Sequence, residues 1–325
     1  MIVTRTPMRI TLGGGGTDLP SYYLSNKGFL ISAAIDKYIY ILVNKTFDKK
    51  FFLKYSKLER VDAVSKIEHP IVREALKMLE LEDEHLEICS VADMPAGTGL
   101  GSSGSFTVGL LKALHAYKGD IVSTRTLAEE ACNIEIDKLG GQIGKQDQYI
   151  AAYGGITTME FRQDGYVWVD PLQISDETLY DLEDNSILYY TGYQHSASAI
   201  LSEQDKKTKG MDQSMIDNLN YVKELGYESK HALEEGDLIK FASIMKVHWE
   251  YKKKRSSSMS NRSIDDAYNL AMENGALGGK LIGAGGGGLL FFYTNEKTKL
   301  RSAMKATGME EIRFRFDKDG SKEIL

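Results

Sequence analysis

The chain has 325 residues, of which 42% are hydrophobic and 26% charged, with 31 glycines and 5 prolines. At about 100 to 200 residues per domain, this length predicts two domains or one large one, with enough chain to bury a core without disulfide or metal staples. The 46 acidic and 40 basic residues give a net charge of −6, which argues against a nucleic-acid partner.

Two further features of the composition concern location. No run of about 18 apolar residues and no signal-peptide pattern is present, so we expect neither a membrane span nor export. Cys89 and Cys132 lie far apart and outside any metal-binding spacing, so the sequence specifies neither a disulfide framework nor a zinc knuckle. The sequence therefore predicts a cytoplasmic protein with no membrane partner.

The first half of the chain reads as strands followed by helices. Segments rich in Val, Ile, Tyr and Thr, or with alternating polarity, predict strands at 2–12, 28–35, 38–47 and 85–91. A helix is predicted from Ser102, because Phe106, Leu110 and Leu114 recur at helical spacing. A second helix is predicted after Ser123, a typical N-cap residue.

The second half predicts further strands and longer helices. In chain order they are strands at 156–162 and 186–191, helical stretches within 215–252, a helix at 264–273, a glycine run at 275–288, a strand at 289–294, a helix at 296–306 and a strand at 310–316. Strands in runs, rather than in strict alternation with helices, indicate an α+β fold in two lobes, which we expect to span 1–190 and 191–325. The basic run at 252–255 is interpreted as a solvated helix end, with phosphate binding as the less favoured alternative.

A glycine-rich segment at 95–105 lies between a predicted strand and a predicted helix. Backbone N–H groups in such a loop can approach an anion closely, and the helix N-terminus adds unpaired donors and the positive end of its dipole. The alternative is a tight turn with serine caps. The spacing is neither a P-loop nor a dinucleotide fingerprint, which argues against a P-loop enzyme and against a dinucleotide-binding oxidoreductase. The candidate phosphate-binding residues are Pro95, Gly97, Gly99, Leu100, Gly101, Ser102, Ser103, Gly104 and Ser105. The three serine hydroxyls can add hydrogen bonds or a magnesium ligand.

Two other glycine segments flank this one in the sequence. After the first strand, Gly15, Gly16, Thr17 and Asp18 form a candidate substrate-binding loop, in which glycines permit close approach and Asp18 can accept hydrogen bonds from hydroxyl groups. Near the C-terminus, Gly285 and Gly286 lie in a glycine motif at 283–288 that can close on the substrate or on the glycine loop at 95–105. Flexible or crowded turns are the alternative for both segments.

Three charged residues complete the set of candidates. Arg9 supplies a permanent positive charge beside the first glycine loop. Glu135 can serve as a magnesium ligand, and Asp147 can orient and deprotonate an attacking hydroxyl. A solvated charge or a helix cap is the alternative for each carboxylate.

Taken together and in this order, these segments resemble the GHMP small-molecule kinases, the family of galactokinase, homoserine kinase and mevalonate kinase. The resemblance covers nearly the whole chain, and its most specific element is the P-x-G-x-G-L-G-S-S loop at 95–103. It implies a two-lobed α+β fold with ATP and substrate bound between the lobes. It also implies Mg²⁺ held by Ser103 and Glu135, and Asp147 as the catalytic carboxylate.

Within the family, the chain looks like the sugar kinases. Arg9 falls where those members place a basic residue that stabilises charge on the substrate oxygen, and Asp18 falls on their sugar-binding aspartate. Gly-Gly-Thr-Asp-Leu-Pro at 15–20 replaces the Gly-Glu-His-Thr-Asp motif of galactokinases, which argues against galactose. Gly104 stands where most members have alanine.

The segments at 14–20 (followed by Tyr22 and Tyr23), 102–111 and 140–148 resemble members that phosphorylate the anomeric O1 hydroxyl of D-glycero-D-manno-heptose 7-phosphate. The expected reaction gives the 1,7-bisphosphate, in the synthesis of nucleotide-activated heptose. The substrate's 7-phosphate needs cationic contacts, for which Lys45, Lys206, Lys207 and the run at 252–255 are candidates. The alternatives are a fucokinase-like or galactokinase-like sugar-1-kinase, or a sugar and ATP sensor without turnover.

Overall fold

The computed structural model of the chain describes residues 1–193 and 197–325. The strands are β1 (Ile2–Gly14), β2 (Gly28–Lys45), β3 (Phe51–Lys54), β4 (Leu58–Val61), β5 (Leu86–Ala92), β6 (Ile156–Phe161), β7 (Val167–Pro171), β8 (Ser186–Tyr190), β9 (Ala276–Ile282), β10 (Leu289–Thr294), β11 (Glu310–Ile312) and β12 (Lys322–Glu323). The helices are α1 (Pro20–Asn26), α2 (Pro70–Met78), α3 (Ser102–Lys118), α4 (Thr124–Cys132), α5 (Gln146–Tyr153), α6 (Asp176–Asp184), α7 (Ala197–Lys209), α8 (Gln213–Glu234), α9 (Leu238–Lys253), α10 (Arg262–Glu273) and α11 (Lys297–Met304).

The larger sheet is built around the long antiparallel pair β1 and β2. Its strand order is β12-β1-β2-β5-β3-β4, with β6 paired to β2 and β7 to β6. The predicted strands at 28–35 and 38–47 are one strand, because β2 continues through an irregularity opposite Pro7 and Met8. Its first half pairs with β6 and its second half with β5, so the strand exchanges neighbours at that point.

The helix predicted from Ser102 is α3, which packs across β1 and β2. Its interior is apolar, and Leu110, Leu111 and Leu114 are fully buried. Gly109 allows the close approach, because a Cβ there would lie 2.6 Å from the Thr6 hydroxyl oxygen. The helix ends at Gly119, which adopts the left-handed conformation at φ 78° and donates its N–H to the preceding turn. This packing fixes the N-terminus of α3 relative to β1.

The smaller sheet has the antiparallel order β11-β8-β10-β9 and packs against α9 and α10. The sequence predicted β10 with its observed bounds but left β9 inside a glycine run, because glycine is depleted in strands. Close packing explains those glycines: a Cβ at Gly278 would lie 1.8 Å from the Ala242 carbonyl oxygen, and one at Gly279 would lie 2.3 Å from the Phe292 ring. Here glycine marks contact between elements.

The two sheets do not divide the chain at a single position. Strand β8 (186–190), on the N-terminal side of the expected boundary at 190, belongs to the smaller sheet. At the other end, β12 pairs with β1, so the C-terminus returns to the larger sheet. The division into lobes 1–190 and 191–325 therefore stays a prediction.

Among the helices that the structure describes, none is long and apolar enough to cross a membrane.

Candidate active site

A cleft of about 290 Å³ collects residues from both ends of the chain. The end of β1 and the loop after it form one wall, and the 97–104 segment with the start of α5 forms the second. The third wall comes from α9, the residues after it and the end of β9. The cleft therefore lies where all three glycine segments meet.

The loop before α3 depends on left-handed glycines. Gly97, Gly99 and Gly101 have φ values of 80°, 81° and 76°, which other residues rarely adopt. The C-terminal glycine motif touches this loop directly, since a Cβ on Gly283 would lie 2.6 Å from the Gly99 Cα atom. The glycine motif at 283–288 therefore supports the glycine loop at 95–105. Gly101 leads into α3, and the backbone N–H groups of the first helical turn lie at the cleft.

Arg9 and Asp147 form the central ion pair of the cleft. The Nε and Nη2 atoms of Arg9 each lie 2.7 Å from Oδ1 of Asp147, and Arg9 also donates to the Gly99 carbonyl. Arg9 is almost fully buried, whereas 30% of the Asp147 side chain is exposed to the cleft. The pair lies against α3, because a Cβ on Gly101 would be 3.1 Å from Cγ of Asp147.

Ser103 and Glu135 meet beside the N-terminus of α3. The Ser103 hydroxyl donates to Oε2 of Glu135 at 2.5 Å, and the Gln148 amide donates to Oε1 at 2.9 Å. Burial raises the pKa of Glu135, while its hydrogen bonds partly oppose that shift. One carboxylate and one hydroxyl beside the glycine loop make an oxygen donor set of the kind Mg²⁺ prefers, since this ion usually completes its coordination with phosphates and water. The residues present therefore fit a magnesium ion.

Asp18 is fixed against backbone. Its carboxylate accepts the N–H of Gly16 at 3.1 Å and that of Gln146 at 3.4 Å. Gly144 permits this packing, because a Cβ there would lie 1.8 Å from Oδ2 of Asp18. Burial and then the charge of Asp147 raise the pKa of Asp18. Gly15, Gly16 and Asp18 all line the cleft.

Some residues predicted for the site do not line the cleft. Thr17 is fully buried and exchanges hydrogen bonds with the backbone of Phe29. The Ser105 hydroxyl donates to the Pro7 carbonyl at 2.8 Å. Both hydroxyl groups therefore bond within the protein rather than facing the cleft. The other predicted residues outside the cleft lining are Pro95, Leu100, Gly285 and Gly286.

Their surroundings account for these positions. Leu100 is a fully buried core residue, and Pro95 is exposed and accepts a hydrogen bond from Thr98. Gly285 packs on Met259, whose carbonyl accepts the N–H of Gly286. From this segment Gly283 and Ala284 line the cleft instead. Gly97, Gly99, Gly101, Ser102, Ser103 and Gly104 line it as predicted.

The interpretation of the basic run as a solvated helix end is wrong for two of its four residues. Lys252 and Arg255 are buried and line the cleft, Lys253 is half-buried, and only Lys254 of the four is exposed. The spacing of His248, Lys252 and Arg255 carries a signal for this, because residues at i, i+4 and i+7 share one helix face. Lys280 also lines the cleft, but its position within the glycine run at 275–288 gives no indication of a binding role.

Comparisons with known proteins agree with this geometry. Residues 70–155 match the GHMP kinases N terminal domain, and residues 229–308 match the GHMP kinases C terminal domain. The chain is 32% identical to the D-glycero-alpha-D-manno-heptose 7-phosphate kinase of Campylobacter jejuni, over 99% of this chain and 98% of that protein.

Solved structures show the same likeness. A D-glycero-D-manno-heptose 1-phosphate kinase from Bacteroides thetaiotaomicron superposes with a TM-score of 0.82 at 27% identity, covering 100% of this chain and 99% of the other. Lactococcus lactis galactokinase, with a TM-score of 0.80 at 18% identity over 99% of this chain and 94% of that one, shares the fold.

The chain belongs to the GHMP kinase family. The predicted α+β GHMP kinase fold is confirmed, and the protein is a phosphotransferase of a family that uses ATP.

Proposed function

We propose that the protein transfers the γ-phosphoryl group of ATP to the anomeric O1 hydroxyl of D-glycero-D-manno-heptose 7-phosphate. The products are ADP and the 1,7-bisphosphate, an intermediate suited to nucleotide-activated heptose synthesis. The name of the full-length relative from Campylobacter jejuni supports this substrate. The Arg9–Asp147 ion pair beside the N-terminus of α3 is the observation that carries the reaction type.

Asp147 is the proposed catalytic carboxylate. Its partly exposed side chain can accept the proton of O1 as that oxygen attacks the γ-phosphorus, while the bond from the γ-phosphorus to the bridging oxygen of ADP breaks. An anomeric hydroxyl is more acidic than an ordinary alcohol, which lowers the demand on this base. Arg9 holds Asp147 in position and offers positive charge to the developing oxyanion.

The nucleotide phosphates are proposed to lie over the first turn of α3. Backbone N–H groups of Gly101 to Gly104 and the dipole of a 17-residue helix favour negative charge there. Ser103 and Glu135 are the proposed ligands of Mg²⁺, which when bound would neutralise charge on the phosphates. Their hydrogen bond keeps both oxygens together at the same edge of the cleft.

The sugar is proposed to lie against Gly15, Gly16 and Asp18. Both glycines have positive φ, at 105° and 82°, and having no side chain they allow the ligand to approach the backbone. The Asp18 carboxylate, already held by two N–H groups, can accept hydrogen bonds from sugar hydroxyls through its remaining lone pairs. We retain a cytoplasmic location as an expectation.

The test is turnover of purified protein with MgATP and a sugar panel. The panel contains D-glycero-D-manno-heptose 7-phosphate, the corresponding 1-phosphate, unphosphorylated fucose and galactose. Turnover restricted to the 7-phosphate supports the proposal. The name of the Bacteroides structure suggests the 1-phosphate as a second candidate substrate. If the protein prefers the 1-phosphate, the 7-phosphate is rejected as the acceptor. Turnover of fucose or galactose alone retains the reaction type and rejects the heptose.

A further inference from the structure

Three buried cations, Lys252, Arg255 and Lys280, line the cleft. Lys252, Arg255 and Lys280 retain only 8%, 5% and 2% of their accessible surface. Within the described residues, none of their nitrogen atoms forms a salt bridge with a carboxylate. Residues 194–199 contain no aspartate or glutamate, so the acidic partner is not there either.

The hydrogen-bond partners of these cations are neutral, and the nearby Asp18 carboxylate only partly opposes the lowering of the Arg255 pKa by burial. Lys252 donates to the carbonyls of Leu281 and Gly283 at 2.8 and 2.5 Å. Lys280 donates to the Leu12 carbonyl at 2.8 Å and lies 3.3 Å from Nδ1 of His248. A lysine has three donors, so each ammonium group keeps one for a ligand.

Arg255 is the member of this group nearest the sugar loop. It donates to the Gly15 carbonyl at 3.2 Å and to Oδ1 of Asn218 at 2.9 Å. The Nη1 atom lies so close to Gly16 that a Cβ on that glycine would be 2.4 Å away. The two hydrogen bonds leave donors of the planar guanidinium group for an anion.

Burying three positive charges beside one another is unfavourable unless an anion is present. Burial and then the neighbouring Arg255 lower the pKa of Lys280 to about 7. Burial also lowers the pKa of Lys252 and that of His248, which leaves the imidazole neutral. A dianionic ligand would offset the repulsion among these three side chains and favour their charged forms. Phosphate is such a dianion, and both arginine and lysine bind it well.

We propose that Arg255, Lys252 and Lys280 bind the phosphate group of the sugar substrate that does not react. This inference rests on the proposed function and adds to it the subsite that selects a phosphorylated sugar. The position of Arg255 against Gly15 and Gly16 puts this subsite beside the proposed sugar-binding loop.

The other basic candidates from the sequence are poorly suited to this task. Lys45 is exposed and paired with Glu84 at 3.0 Å. Lys207 is paired with Glu203 at 2.7 Å, and Lys206 is exposed. None of the three lines the cleft.

The experiment compares Arg255→Gln, Arg255→Lys and Lys280→Met with the wild type. Lys254→Met is the matched control, because it removes an exposed charge from the same basic run. For each protein we would measure KM for D-glycero-D-manno-heptose 7-phosphate, KM for ATP, and kcat/KM for unphosphorylated D-glycero-D-manno-heptose. Thermal melting shows whether each variant is folded, and calorimetric titration with the 7-phosphate measures binding without turnover.

We expect Arg255→Gln to raise KM and the dissociation constant for the 7-phosphate by about 10- to 100-fold, the usual loss for a charged hydrogen bond. Its KM for ATP should not change. Because Arg255 also contacts Gly15, some loss on the unphosphorylated heptose is expected, but the loss on the 7-phosphate should be much larger, and Arg255→Lys should recover part of it. An equal loss on both sugars would overturn the inference, because it indicates a purely structural role. A raised KM for ATP with an unchanged KM for the 7-phosphate would overturn it too, and would assign these cations to the nucleotide.

Failure of the proposed function gives a different result. In that case the wild type itself does not phosphorylate the heptose 7-phosphate. The inference fails by itself when the wild type is active on this sugar and Arg255→Gln retains its affinity.

Discussion

Gly104→Ala tests how closely the catalytic carboxylate is packed against α3. An ideal Cβ at position 104 would lie 2.7 Å from Cβ of Asp147, 2.9 Å from its carbonyl carbon and 3.0 Å from the Gln148 nitrogen. Two of these atoms are backbone of α5, so a side-chain rotation cannot relieve the contact. The substitution must therefore move the start of α5 away from α3.

Two effects of opposite sign set the magnitude. Glycine to alanine in an unconstrained helix interior gains about 1 kcal/mol, whereas overpacking typically costs about 1 to 3 kcal/mol. We expect a net loss of stability, despite the better helix former. Because misplacement by about 1 Å can reduce rates roughly 100-fold, a shift of a few tenths of an ångström at Asp147 should lower kcat by about 10-fold. KM for ATP should change little.

The assay combines thermal unfolding with initial rates of ADP release. Gly109→Ala is the matched control on the same helix, since its Cβ would meet the Thr6 side chain at 2.6 Å, away from the cleft. That variant should lose stability and keep its kcat. If Gly104→Ala is instead stabilised by about 1 kcal/mol with normal kcat, the close contact between α3 and Asp147 is refuted.

Three further predictions address the chemistry of the cleft. Asp147→Asn should reduce kcat by about 100- to 10,000-fold while ATP binding, measured by calorimetry, is retained; wild-type turnover would remove Asp147 from the mechanism. Glu135→Gln should raise the Mg²⁺ concentration needed for half-maximal rate, and an unchanged requirement would exclude Glu135 as a ligand. Lys280, whose pKa is lowered to about 7 beside Lys252, Arg255 and a neutral His248, is charged below that pH and neutral above it. KM for the sugar phosphate should therefore rise as pH increases through 7, and Lys280→Arg should flatten this rise; the same pH profile in both proteins would contradict the assignment.

The sequence predicts those elements well whose structure is set by residues close together in the chain. Strand β10 and the start of α3 depend on short-range patterns, and their bounds were predicted closely. The residues of the 95–105 loop that line the cleft were predicted because the closely spaced Gly97, Gly99 and Gly101 indicate a turn with positive φ values, which is a local property of the chain.

The misses arise from contacts between distant segments. Glycines 278 and 279 suggested a turn, although they belong to β9 because Ala242 and Phe292 pack against their backbone. Lys252 and Arg255 looked like a solvated helix end: their spacing from His248 indicates a shared side, but only the tertiary structure shows that this side faces the cleft. Thr17 looked like a ligand-binding residue, but its hydroxyl satisfies the backbone of Phe29.

The central claim is phosphoryl transfer to O1 of a sugar that already carries a phosphate. The most direct measurement is phosphorus NMR of the purified protein incubated with MgATP and D-glycero-D-manno-heptose 7-phosphate. The account predicts ADP and one new anomeric phosphate ester, with the original 7-phosphate signal retained. Absence of turnover, or a new phosphate on any oxygen other than O1, would contradict it.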